Sequence, residues 1–133
     1  MAITFKDDVK KKITKTDLPS NIQSRKIDIQ FELKHHLGMK IGAIVKANKP
    51  IECHSIIGEK MGVDVPVLIP KDSPVLFAGI NYCNILKHMM LELVYNEKLI
   101  YFDYDKNSVP GNQKLMLQEN FEVLIHGKIN YGV

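Results

Sequence analysis

The side chains able to do chemistry in this chain are two cysteines, five histidines and the carboxylates near them. The soft metal ligands that stand close together in sequence are Cys53-His54, His35-His36, and Cys83 with His88. Structural zinc sites usually join two such couples, each with its ligands about two to four residues apart. Adjacent residues rarely chelate one ion, and the spacing from Cys83 to His88 matches no common zinc motif. The sequence therefore predicts no metal site.

A cysteine nucleophile is the other chemistry that these residue types offer. It needs a base within reach of the thiol and a third group that orients the base. Cys83 or Cys53 would meet His88 or His54 only through the fold, because no glycine-flanked nucleophile motif surrounds either cysteine. We therefore expect two buried or half-buried thiols that act as small apolar side chains. The sequence leaves open whether they pair.

Asp103 and Asp105 alternate on one face of a predicted strand end. Paired carboxylates serve as acid and base when their surroundings separate their pKa values. Beside Lys106-Asn107 such residues more often cap a turn. Gly58 and Gly62 also lack the spacing and the lysine-serine ending of a phosphate-binding loop. The sequence thus predicts no catalytic residue, no cofactor and no enzymatic activity.

Length and composition favour one globular domain over residues 1–133, and the strand patterns described below predict that it is β-rich. Apolar residues make up 45% and charged residues 25% of the chain, as in ordinary globular proteins. The net charge of +3 is too small for the dense basic stripe of a nucleic-acid-binding surface. Nucleic acid is therefore not an expected partner.

The hydropathy pattern predicts no membrane span, because no window of about 18 consecutive apolar residues occurs. The first residues also lack the basic-then-apolar order of a signal peptide. We expect either an assembly formed in the cytoplasm or a mature or virion component, and the sequence does not decide between these compartments.

The N-terminal third divides into three predicted parts. The apolar residues at 3, 5, 9 and 13 favour a short helix capped by Thr4, or an arm, within residues 1–24, although Ile3 and Phe5 fit a strand equally well. Turn-forming residues predict a linker from Thr14 to Ser24. Lys26 to Lys34 alternates apolar and polar residues without error, which predicts a half-buried strand.

Most of the remaining chain is interpreted as strands separated by turns. The predicted strands are 39–46, 63–69, 99–104, 121–125 and 129–133, with 51–57 ambiguous, 58–62 a loop, 96–98 a turn and 126–128 a turn. Two alternatives stay open after the turn at 70–74, including residues 84–95. As β, the segment gives strands at 75–80 and from His88 to Tyr95; as α, Ser73 caps a helix that Pro74 begins. For Ile85 to Val94 the periodicity leans slightly to the helix. The predicted fold class is mainly β, a small single-domain β-barrel or β-sandwich with one or two short helices, or else an α+β fold.

Several turn residues between Val67 and Gly111 resemble a known family. They are Ile69-Pro70-Lys71-Asp72-Ser73, Gly79, Tyr95-Asn96-Glu97-Lys98 and Val109-Pro110-Gly111, with Ile41 to Pro50 as an opening strand. In this order they resemble the barrel domain of the conjugative type IV secretion channel scaffold. That resemblance implies a ring-forming β-barrel subunit without catalytic residues.

These observations lead to two hypotheses for function. The first is a non-enzymatic structural subunit of a multi-copy assembly, either a secretion-channel ring or a phage or virion component, whose partners are copies of itself and other subunits. The alternative is a small inhibitor or immunity-type protein that blocks a partner enzyme. A stable monomer with one tight heterologous partner would favour the second.

The strand Val63 to Ile69 is the predicted surface for association. Pro66 has no amide hydrogen, which places this strand at a sheet edge. It is apolar on both faces apart from Asp64, so either the strand Phe121 to Ile125 or another subunit is expected to cover it. The predicted interface residues are Val65, Val67, Ile69, Tyr101, Phe102 and Phe121.

Overall fold

The computed structural model describes residues 14–57, 63–109 and 111–126. Its helices are α1 (Thr14–Leu37), α2 (Tyr104–Asn107) and α3 (Gln113–Asn120). Its strands are β1 (Ile44–Ala47), β2 (Ile51–Ile57), β3 (Val63–Ile69), β4 (Pro74–Cys83), β5 (His88–Tyr95), β6 (Lys98–Asp103) and β7 (Phe121–Ile125). The prediction of a mainly β chain is confirmed.

All seven strands form one antiparallel sheet in the order β3-β2-β6-β5-β4-β1-β7. Among the described residues, β3 and β7 do not pair with each other, so the sheet is open and has two outer strands. No helix within these residues has the length and apolarity needed to cross a membrane.

Helix α1 corrects two sequence predictions, because it includes both the predicted linker 14–24 and the predicted strand 26–34. In a helix, residues four positions apart lie on the same face. A segment with apolar residues at every second position therefore also offers one apolar helical face. Ile29 and Leu33 lie four positions apart and are buried in the core, whereas Ile27 and Phe31 are exposed. The alternation was therefore misleading, and contact with the sheet selects the helix.

Helix α1 ends at a glycine. Gly38 has a φ of +69°, a left-handed conformation that glycine adopts without a steric cost. Its N–H donates to the carbonyl oxygen of Lys34 at 2.9 Å, and His126 donates from Nδ1 to the Gly38 oxygen at 2.8 Å. Lys34, His35 and His36 occupy the last turn, where positive charge suits the helix dipole. A glycine that follows a basic last turn is a sequence signal for the end of a helix, and the strand prediction for this segment overlooked it.

Strands β4, β5 and β6 form a continuous antiparallel meander at the centre of the sheet. The strand alternative for 75–80 is correct and the predicted strand 99–104 is confirmed, each within about three residues. For residues 84–95 the strand alternative is correct, because a turn at 84–87 precedes β5. Asn96 and Glu97 both have positive φ and connect Tyr95 to Lys98 as a two-residue hairpin.

The outer strands agree with one prediction and correct another. β3 lies at an edge, as Pro66 indicated, and pairs only with β2 among the described strands. β7 pairs with β1 at the opposite edge, so it does not cover β3 as the sequence analysis expected. The strand predicted at 39–46 is shorter, beginning at Ile44, and 51–57 is a full strand. Helix α3 was not predicted.

The core fills one face of the sheet, beneath α1 and α3. Phe102 and Phe121 meet edge to face there, with their ring centroids 5.1 Å apart. All seven strands and all three described helices contribute to the core, which includes Leu33, Val45, Cys53, Ile69, Phe77, Leu91 and Leu117. Four further predictions concern the helix in 1–13, the loop 58–62, the rest of the turn at 126–128 and the strand 129–133, and they lie outside the described residues.

Candidate functional site

The side of the sheet that faces away from this core carries most of the polar side chains of the central strands, and we call it the second face. Successive side chains of β5 alternate between the two sides of the sheet, and Met89, Leu91 and Leu93 belong to the core. His88, Met90 and Glu92 therefore point the other way. The second face is where the chemistry-bearing residues of the sequence come together.

His88 and Asp103 form a hydrogen-bonded pair on the second face. The His88 Nδ1 atom lies 2.8 Å from Oδ2 of Asp103, whose side chain is buried while the imidazole is partly exposed. The other carboxylate oxygen of Asp103 accepts the N–H of Lys106 at 2.9 Å and caps α2. The capping role predicted for this region is confirmed for Asp103, and the same carboxylate also orients a histidine.

Cys83 completes this group. In the β4–β5 ladder Cys83 stands directly opposite His88, so both side chains lie on the same face. Asp103 is on the next strand, β6, and the three residues thus occupy three neighbouring strands in the order thiol, imidazole, carboxylate. This meeting of Cys83, His88 and Asp103 depends on the strand alternative for 88–95, which sequence periodicity alone left open.

A cavity of about 640 Å³ lies beside Cys83 on the second face. Met90, which is fully buried yet outside the core cluster, and Tyr101 line it. Its other lining residues are Ile56, Asn81, Tyr82, Cys83, Asn84 and Ile85. The lining is therefore mixed, with apolar, aromatic and amide side chains around one thiol.

Glu92 is held in place on the same face by its neighbours. Asn81 donates from Nδ2 to Oε2 of Glu92 at 3.1 Å. Gly79 stands opposite Glu92, and a Cβ at this glycine would lie only 2.8 Å from Oε1. The absence of a side chain at Gly79 therefore makes room for the carboxylate.

A second histidine–carboxylate pair joins the strands β2 and β3. Nδ1 of His54 lies 2.9 Å from Oδ1 of Asp64, and both groups are partly exposed. Tyr101 on β6 is the cross-strand neighbour of His54 on one side and of Glu92 on the other. A row of polar residues thus crosses four strands of the second face.

The two cysteines have different surroundings, and both are free thiols. Cys53 is buried in the core, where burial and then the charge of Glu52 raise the pKa of its thiol to about 12. A thiol that stays protonated is a poor nucleophile. Cys83 is only half-buried and borders the cavity.

The six predicted interface residues do not form one surface. Ile69, Phe102 and Phe121 are buried inside the chain, which corrects their assignment to an interface. Val67 packs against the core at its margin, and Tyr101 lines the cavity. Only Val65, with 37% of its surface exposed, remains an exposed apolar residue of the outer strand. The exposed leucines at 68 and 124 were missed, although Leu68 lies within the predicted edge strand.

Comparison of the chain with family models, with curated proteins and with solved structures found no match. The resemblance to the secretion channel scaffold therefore stays a prediction. Within the described residues, no group of three or more histidine, cysteine, aspartate or glutamate side chains is arranged to hold a metal ion.

Proposed function

We propose that this chain is a structural subunit of a multi-copy assembly, in which copies join by adding strands at the open edges of the sheet. The observation that carries the proposal is an open sheet whose two outer strands both expose apolar side chains. Such edges are templates for strand addition, because their outward backbone groups need partners.

The β3 edge exposes Leu68 and Val65, with 62% and 37% of their surfaces accessible. Pro66 removes one N–H donor from this strand, and Asp64 is engaged by His54. Proline blunts an edge but does not block it, since the remaining residues keep their donors and acceptors. The exposed apolar side chains favour association, and the proline limits strand pairing at this edge. We therefore expect one specific partner rather than non-specific aggregation.

The β7 edge exposes Leu124 and Ile125, with 50% and 61% of their surfaces accessible. Close to its other end, Glu122 lies 3.3 Å from Lys46 on β1. Because one end of β7 is charged and the other exposes apolar residues, this edge favours one direction for an added strand. In the described part of the chain, no strand pairs with the outer side of β7.

Two different edges at opposite ends of a sheet predict a head-to-tail contact. If β3 of one copy pairs with β7 of the next, the first copy keeps its β7 edge and the second keeps its β3 edge, so the pair can add a further copy at either end. Such heterologous contacts close into rings or continue as filaments. A ring is also what the resemblance to the secretion channel scaffold implies.

The experiment compares Leu68→Lys, Leu124→Lys and, as a matched control, Leu115→Lys in sedimentation velocity. Leu115 is an exposed leucine of α3, with 53% of its surface accessible, and lies on neither edge. We expect assemblies larger than a dimer for the unchanged chain and for the control, and monomers for each edge variant. An equimolar mixture of the two edge variants should give one-to-one dimers, because each supplies the intact edge that the other lacks.

Three outcomes would contradict this function. An unchanged chain that stays monomeric across concentrations would favour the inhibitor hypothesis, in which a different protein occupies the edge. A Leu124→Lys variant that still dimerises would indicate β3–β3 pairing instead. Loss of assembly in Leu115→Lys as well would place the contact away from the edges. Circular dichroism of each variant checks that the sheet is retained.

A further inference from the structure

The arrangement of Cys83, His88 and Asp103 on the second face has the parts of a nucleophilic thiol site. Directly opposite residues in an antiparallel pair have Cβ atoms about 5 Å apart, so the side chains of Cys83 and His88 are cross-strand neighbours on the second face, although no hydrogen bond joins the thiol to the imidazole in this structure. The pairing is the last one before the turn at 84–87, where the N–H of Lys87 donates to the Cys83 carbonyl at 2.7 Å. This short closure holds the cysteine and the histidine side by side.

The hydrogen bond to Asp103 determines which nitrogen of His88 acts as the base. A carboxylate can only accept, so Nδ1 carries the hydrogen, and a neutral ring then has its lone pair on Nε2. No group among the described residues hydrogen-bonds that Nε2 atom. Asp103 is itself fixed by the Lys106 N–H, so the imidazole is oriented by an immobile partner.

The sulfur of Cys83 also receives a donor from the turn. The N–H of Leu86 lies 3.4 Å from Sγ, and a thiolate accepts such a hydrogen more strongly than a thiol does. The cavity of about 640 Å³ opens beside this sulfur. Ile56, Ile85 and Met90 provide apolar contacts there for a chain, and Asn81 and Asn84 provide amides for a polar group.

From this geometry we propose that Cys83 is a nucleophile that takes an acyl group from a thioester bound in the cavity, with His88 as general base and Asp103 as positioning residue. His88 Nε2 removes the proton of the Cys83 thiol while the sulfur attacks the carbonyl carbon. The tetrahedral intermediate collapses, the bond from carbon to the donor's sulfur breaks, and the departing thiolate takes the proton back from His88. One thioester is exchanged for another, and no oxidant or reductant is needed.

The test uses the full chain with the acetyl thioester of N-acetylcysteamine, followed by intact mass and peptide mapping. We expect one acetyl group per chain, located on Cys83. Its attachment should be about 100-fold faster than in His88→Gln, since a positioned base contributes a factor of this order. The matched control is Cys53→Ala, which removes the core thiol and should leave acetylation unchanged.

Asp103→Asn separates a positioning role from a structural one. The asparagine oxygen can still accept the Lys106 N–H, so α2 stays capped, but its amide donates to Nδ1 and moves the ring hydrogen to Nε2. We expect a melting curve close to that of the unchanged chain and acetylation as slow as in His88→Gln.

A blocked cavity tests the binding part of the proposal. Ile85→Trp places a large ring at the cavity wall and should slow transfer from the octanoyl thioester much more than from the acetyl thioester. Equal acetylation rates in His88→Gln and the unchanged chain would overturn the proposal, because Cys83 would then be an ordinary exposed thiol. Acetylation on Cys53, or none at all, would overturn it as well.

Discussion

The two faces of the central strands share one backbone and differ in nearly everything else. Under α1 and α3, Met89, Leu91 and Leu93 of β5 are buried among apolar neighbours. On the second face the alternate residues His88 and Glu92 each share a hydrogen bond with a residue of another strand, His88 as donor to Asp103 and Glu92 as acceptor from Asn81. The comparison teaches that a single strand can serve a packed core and a polar site together, because successive side chains point to opposite sides.

The cysteines show the same contrast at the level of reactivity. Cys53 belongs to the core and is kept protonated by burial, whereas Cys83 lies on the second face beside a histidine and a cavity. The residue type is the same, and the side of the sheet decides what it can do.

The largest expected effect is the loss of stability when a buried side chain is shortened, and it should differ between the two faces. Leu91 and Met90 are adjacent on β5, both fully buried, and point to opposite faces. Leu91→Ala should lower the free energy of unfolding by about 4 kcal/mol, because the core cannot collapse into the space. Met90→Ala should cost about 2 kcal/mol, since it enlarges an existing cavity. Urea unfolding measures both, and equal losses would mean that the second face is packed as tightly as the core.

The next effect is a loss of stability at alkaline pH, which acts through two buried groups on the core side of the sheet. Burial raises the pKa of Cys53 from 9.0 to about 12 and, aided by Glu32, raises the pKa of Tyr104 from 10.0 to about 12. The folded chain therefore keeps protons that the unfolded chain loses, so stability is full below pH 9 and falls as the pH rises towards 12. We expect the free energy of unfolding to fall steadily over this range.

Urea midpoints at several alkaline pH values test this loss. In Cys53→Ala the fall that begins near pH 9 should be smaller, leaving the Tyr104 part that begins near pH 10. The pKa of Lys46 is also raised, chiefly by its hydrogen bond to Glu122, and acts in the same direction where β1 pairs with β7. A urea midpoint that stays constant from pH 9 to pH 12 would contradict the burial of Cys53 and Tyr104.

The smallest expected effect lies on the second face. In Gly79→Ala the new Cβ displaces the flexible end of Glu92 and breaks its hydrogen bond with Asn81. Alanine in a strand gains about 0.5–1 kcal/mol over glycine, which offsets most of that loss. We expect a net change within about 1 kcal/mol by urea unfolding. Asn81→Ala removes the same hydrogen bond without the steric conflict and serves as the control, and a loss above about 2 kcal/mol in Gly79→Ala alone would show a rigid second face.

The sequence by itself determined the features that depend on near neighbours in the chain. Pro66 predicted an edge strand, Asn96-Glu97 predicted a hairpin turn, and the aspartates before Lys106 predicted a cap. Each depends on local backbone geometry, which a few residues decide.

Only the tertiary structure decided the features that require a distant partner. The alternation in 26–34 fits a strand, but the sheet buries Ile29 and Leu33 and leaves Ile27 and Phe31 exposed, so the segment is helical. Phe102 and Phe121 looked suited to an interface until their contact with each other placed them in the core. The meeting of Cys83, His88 and Asp103 likewise needs three strands in register, because periodicity alone does not distinguish a helix from a strand in a short apolar run.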